Sequence, residues 1–148
     1  HTLIRSKLSR FNGKQQSTSP AVSLNDIIFR PVEIYNTAAG GIDSLLMGLV
    51  NDASSRYDPN VVDTLQNRLF EGRISDGTIA SIDLVATNIN RGRDHGIPNY
   101  NSVREKCGLK KATSFQDFTD TIPQDRVNIF QSIYQHVDDL DLYIAGLA

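Results

Sequence analysis

Apolar positions along the chain recur mostly at helical intervals. Leu3, Ile4, Leu8 and Phe11 share such a face and predict a helix over residues 1–11, with Gly13 as its stop. Lys14 to Ser23 is polar, includes Ser17-Thr18-Ser19-Pro20, and reads as an exposed loop. Pro31 disfavours a continuous helix between Leu24 and Tyr35. Gly40-Gly41 reads as a turn. Ile42, Leu45, Leu46, Leu49 and Val50 then form the apolar face of a short helix. Asp43 lies in its first turn, where the helix dipole favours an anion. This stripe reads as core rather than as a cofactor contact.

Further on, Asp58-Pro59-Asn60 closes a break, and Val61, Leu65 and Leu69 predict a helix over residues 61–70. Gly72 to Gly77 reads as a turn, and Ser81 as the N-cap of a helix from Ile82 to about Arg91, with Ile82, Val85 and Ile89 on one stripe. Asn99 can cap a following helix that ends at Cys107-Gly108. Ser114 and Asp117 have the spacing of a capping box with Asp in the Glu/Gln place. The last predicted helix runs from Gln124 to Val137, with Val127, Phe130, Ile133, Tyr134 and Val137 facing inward. No segment sustains the alternation of a strand, and there is no internal repeat. The predicted class is mainly α.

Composition narrows the function classes. A chain of 148 residues fits one domain or a piece of a larger one. The net charge of −2 removes the usual electrostatic argument for nucleic acid. No apolar run approaches the ~20 residues that a bilayer span requires. The chain opens on His1-Thr2-Leu3-Ile4, with neither Met nor a basic-then-apolar leader, which predicts a processed chain or a fragment. Cys107 is the single cysteine, so no disulfide closes within the chain. There is no phosphate-binding glycine loop, no Cys/His set for a closed zinc site and no Gly-x-Ser-x-Gly elbow.

One segment stands apart: Asn88-Ile89-Asn90-Arg91-Gly92-Arg93-Asp94-His95-Gly96-Ile97-Pro98, in which six of eleven side chains are strongly polar. A charged surface loop is one reading. The other rests on spacing: Asn88 and Arg91 are three apart and share a helix face. An amide acceptor beside a guanidinium suits a polar ligand that carries both an N–H donor and a carboxylate.

The stretch from Thr87 to Asn101, with Arg104 and Cys107-Gly108-Leu109, resembles the hallmark motif of the animal haem peroxidases. Other landmarks fall in the same order. His1-Thr2-Leu3-Ile4 resembles the proximal helix. Phe29 to Tyr35 and Gly40-Gly41-Ile42-Asp43 resemble the loop and helix that follow it. Val137-Asp138-Asp139-Leu140-Asp141-Leu142-Tyr143 resembles a downstream acidic segment, although Ala145-Gly146 stands where the family usually has Gly-Gly. The resemblance covers nearly all of residues 1–148, as the proximal-haem-side portion of a longer multi-helix domain.

That resemblance implies roles. His1 would be the proximal ligand of haem iron, through Nε2 of a neutral imidazole. Asn88 would accept a hydrogen bond from the Nδ1–H of that imidazole. Arg91 would pair with a haem propionate. Arg93, Asp94 and His95 would pin the helix end to neighbouring segments, and His136 receives no role. No catalytic residue falls in the chain, because the family's distal His and Arg precede the proximal helix, as do its calcium site and the acids that esterify haem. The implied parent is a secreted enzyme that uses hydrogen peroxide to oxidise a halide, a phenol such as tyrosine, or another donor. Its missing N-terminal part would be this chain's partner, would hold the disulfide mate of Cys107, and would be needed for full activity. The alternative is a non-catalytic relative serving adhesion or protein binding.

Overall fold

The computed structural model describes residues 3–28 and 31–148. Two compact units divide the chain after Leu84. Helices dominate, so the mainly α class holds.

The first unit begins with a departure from the expected pattern. Residues 3–11 form no helix: β1 (Lys7–Phe11) pairs antiparallel with β2 (Ser17–Ser23), in the register Lys7↔Ser23 and Leu8↔Val22. The polar stretch expected as a loop is therefore a strand. Asn12 makes the reversal, its Oδ1 accepting from the backbone N–H of Lys14 and Gln16 at 2.9 and 3.0 Å. Pro20 is tolerated because both strands of a two-stranded ribbon are edges. Two short helices, α1 (Leu24–Ile27) and α2 (Val32–Tyr35), lie on either side of the position where Pro31 was expected to break the chain.

Helix α3 (Gly41–Asn51) packs on β1. Gly40 permits the sharp entry, with φ of +90°. Gly48 permits the close approach, since a Cβ there would overlap the carbonyl of Ser9. The buried face is Gly41, Ser44, Leu45 and Gly48. The expectation that Ile42, Leu45, Leu46 and Leu49 join a core is thus met only by Leu45, while the other three are exposed. Arg10 on β1 is buried beside this helix. Its guanidinium donates to Ser44 Oγ at 2.9 Å and to Gly41 O at 3.3 Å, and pairs with Glu33 Oε2 at 2.6 Å. Matched acceptors make that buried charge tolerable.

The predicted helix over residues 61–70 shortens to α4 (Asp63–Gln66), and Leu69 opens β3 (Leu69–Arg73) instead. β3 pairs antiparallel with β4 (Ile79–Ile82) across the expected turn. Ser81 lies within β4 and caps no helix; its hydroxyl donates to Asn67 O at 2.6 Å.

The second unit comprises α5 (Leu84–Asp94) from its second residue on, α6 (Tyr100–Lys106), α7 (Gln124–Ile133), α8 (Leu142–Leu147) and 3-10 turns at Phe115–Asp120 and Val137–Asp139. Its core is Ala112, Phe115, Phe118, Ile122, Val127, Phe130, Val137, Leu140 and Ala145. The expected caps form: Asn99 Oδ1 accepts from Ser102 N at 2.8 Å, and Ser114 and Asp117 make a reciprocal box. α7 ends at Ile133, earlier than its periodicity implied. Val127, Phe130 and Val137 are buried as expected, but Ile133 is exposed. His136 instead caps the Val137–Asp139 turn, its Nδ1 accepting from Asp138 N at 3.1 Å.

Two polar anchors hold this core. Asn101 is wholly buried. Its amide donates to Ala112 O at 2.9 Å and Asp138 Oδ1 at 2.7 Å, and accepts from Ala112 N at 2.8 Å. Arg104 makes a forked pair with Asp120, donates from Nε to Lys110 O at 2.7 Å, and lies 6.0 Å from the Phe118 ring centre.

Candidate functional site

Within the second unit, α5 forms one wall of an open cleft of about 920 Å³. Asn88, Ile89, Arg91, Gly92 and Arg93 of this helix line it. Asn88 and Arg91 both line the cleft, as their spacing of three predicts. Asn88 is half-buried and Arg91 exposed. Ile89, Ile97, Pro98 and Leu142 supply apolar wall, and a polar rim carries Tyr134, Asp138, Asp139 and Asp141.

Charge on that rim is partly cancelled. Arg93 forms a fork with Asp141, Nε to Oδ1 at 2.9 Å and Nη2 to Oδ2 at 2.6 Å. Tyr134 donates its hydroxyl to Asp141 Oδ2 at 2.9 Å. The Arg93 hydrogen bonds hold the Asp141 carboxyl below its ordinary value, and the same pair raises Arg93. Burial, followed by the Asp141 contact, pushes the Tyr134 phenol up. Near neutral pH the trio is therefore cation, anion and neutral phenol. Arg91 is exposed and lines the cleft.

The other sequence candidates divide cleanly. Arg93 does pin the helix end, as expected. His95 lies 3.7 Å from Asp94, its own neighbour in the chain. His1 and Phe29 lie outside the described residues. Tyr134 and Asp141 are cleft residues to which sequence reasoning assigned no role. The acidic segment after Val137 was visible as a landmark, but its pairing across 48 residues to Arg93 had no local signal.

The family model described as animal haem peroxidase matches residues 1–148. The chain belongs to the animal haem peroxidase family. It is 32% identical to mouse (Mus musculus) thyroid peroxidase over 149 residues, covering 100% of this chain and 16% of that protein. Peroxinectin A of Dictyostelium discoideum is 38% identical over 108 residues, covering 73% of this chain and 19% of that protein. Among solved structures, peroxidase A from Dictyostelium discoideum matches with a TM-score of 0.78 and 29% identity, over 99% of this chain and 27% of that one. The chain thus spans between about a sixth and about a quarter of the length of these relatives. Among the described residues, no helix is long and apolar enough to cross a membrane.

Proposed function

We propose that this chain supplies the proximal haem wall of a peroxidase that uses hydrogen peroxide to oxidise a small donor. The observation that carries the reading is the placement of Asn88 and Arg91 on one wall of the same cleft, in a chain of this family. The cleft's size is that of a cofactor site. Its chemistry fits haem: apolar wall from Ile89, Ile97, Pro98 and Leu142 for the ring, and the Arg91 guanidinium for a propionate. When bound, haem would supply the redox chemistry that converts peroxide into oxidising equivalents.

The residues of the chain hold and tune. The His1 imidazole would bind iron through Nε2. The Asn88 amide oxygen would accept from its Nδ1–H, fixing tautomer and ring orientation. A neutral amide draws the imidazole proton less than a carboxylate would, so the ligand stays closer to imidazole than imidazolate. Arg91 would clamp a propionate. Arg93 and Asp141 hold the end of α5, and so keep Asn88 and Arg91 in register. The distal acid–base residues, and calcium where it is used, belong to segments of the parent outside residues 1–148. Its partners are then the rest of the domain, peroxide and a donor. A secreted location follows from the same reading.

Haem titration of the longer parent protein tests this. A Soret band that shifts and broadens in Asn88→Ala, weakens in Arg91→Ala and loses its ligand signature in His1→Ala is the expected result. Unchanged spectra and reduction potential in Asn88→Ala and Arg91→Ala overturn the assignment. A folded parent that takes up no haem favours the adhesion or protein-binding alternative.

A further inference from the structure

Helix α3 has two apolar faces, and the described residues cover only one. The covered face is built from small residues, Gly41, Ser44 and Gly48, with Leu45, and lies on β1. The uncovered face carries the large ones. Ile42, Leu46, Leu49 and Val50 fall at helical spacing and are 48%, 51%, 58% and 80% exposed. The helix carries one charged side chain, Asp43. A helix that is apolar nearly all round belongs inside a larger body. A stripe of adjoining large side chains left in water at this exposure marks a buried contact rather than a scattered surface residue.

The same helix is held too firmly to turn its large face inward. The Ser9 carbonyl sits where a Cβ on Gly48 would lie, and Arg10 donates to Gly41 O and Ser44 Oγ. Its small face is therefore committed to the β1–β2 ribbon. What could cover the other face is indicated by length. The solved Dictyostelium peroxidase has this fold over 99% of the chain, yet the chain spans only 27% of that protein.

We propose that the Ile42–Leu46–Leu49–Val50 face of α3 is a packing surface for the rest of the peroxidase domain, formed by protein segments outside these 148 residues. This rests on the chain being part of a larger domain, not on the haem roles of Asn88 and Arg91. The occupant is protein of matching apolar character, and the contact is part of the parent's core.

The test is thiol protection in a Cys107→Ser background. Leu46→Cys and Leu49→Cys are compared with Lys14→Cys, an exposed reference in the β1–β2 turn. Labelling is measured in the 148-residue chain and in the longer parent, the latter with and without haem. Hydroxyl-radical footprinting of native Leu46 and Leu49 gives the same reading where a cysteine variant fails to fold. The expected result is fast labelling in the short chain and labelling slowed about 100-fold or more in the parent, with haem or without it. Fast labelling in both proteins overturns the proposal. Protection already present in the short chain also overturns it, since the face is then covered by this chain or by a second copy. Protection in the parent only when haem is bound makes the cofactor the occupant and overturns it too. Loss of the Soret band with protection retained would reject the haem assignment alone.

Discussion

Arg93 and Asp141, 48 residues apart, are joined by two parallel hydrogen bonds of 2.9 and 2.6 Å. The fork ties the C-terminal end of α5 to the residue that opens α8, and Tyr134 from the end of α7 closes on the same carboxylate. Three elements of the second unit therefore meet on one carboxyl group at the rim of the cleft.

The Arg93 side chain is about half exposed, so solvent weakens the pair. A double-mutant cycle of Arg93→Ala and Asp141→Asn should give a coupling of about 1 kcal/mol by urea unfolding. Arg93→Lys should recover less than half of it, because an ammonium cannot make the fork. Full recovery by Lys would show that charge alone matters.

Acid should weaken the second unit through its carboxylates. Backbone hydrogen bonds from Thr113 and Ser114 lower Asp117 to about 2, and Arg93 lowers Asp141. A folded-state value below the unfolded one means the folded chain binds protons less readily. The stability these groups contribute is then complete above about pH 4, the ordinary carboxylate value, and lost as pH falls through the folded value. Urea midpoints measured from pH 5 to pH 2 should fall, and the fall should be shallower in Asp117→Asn. An identical slope in that variant rejects the assignment.

Gly48→Ala places a methyl group against the Ser9 carbonyl. The expected loss is about 3 kcal/mol, with α3 displaced from β1. Gly13→Ala, where nothing lies within 4 Å, should change little. Equal stability of the two variants, compared by thermal melting, would contradict the close approach.

Asn101→Ala removes three hydrogen bonds, two of them buried, and with them the Asn101 partners of the Ala112 backbone amide and carbonyl. A loss of about 3 kcal/mol is expected, larger than for any single exposed charge in the unit. An effect below that of Arg93→Ala, measured by the same denaturant series, would refute this role for the amide.

The reach of sequence reasoning differed between the units for a physical reason. In the second, the signals were local: Asn99 and Ser114 cap the turns they precede, and Val127, Phe130 and Val137 are buried as their periodicity implied. Asn88 and Arg91 share a wall of the cleft because three residues is nearly one helical turn. In the first, the same periodicity misled. Leu3, Ile4, Leu8 and Phe11 have helical spacing, yet β1 forms because Asn12 can reverse the chain and Ser17–Ser23 can pair with it. Leu65 and Leu69 are both buried, but one lies in a helix and the other in a strand.

The sequence by itself determined the family, the predominance of helix, the caps at Asn99 and Ser114 and the shared face of Asn88 and Arg91, since each depends on neighbours within a few positions or on a long ordered motif. Only the tertiary structure decided which face of α3 is covered, where the Arg10 charge is buried, and that Asp141 receives Arg93 and Tyr134. Those outcomes depend on groups tens of residues apart meeting in space, and no local spacing encodes such a meeting.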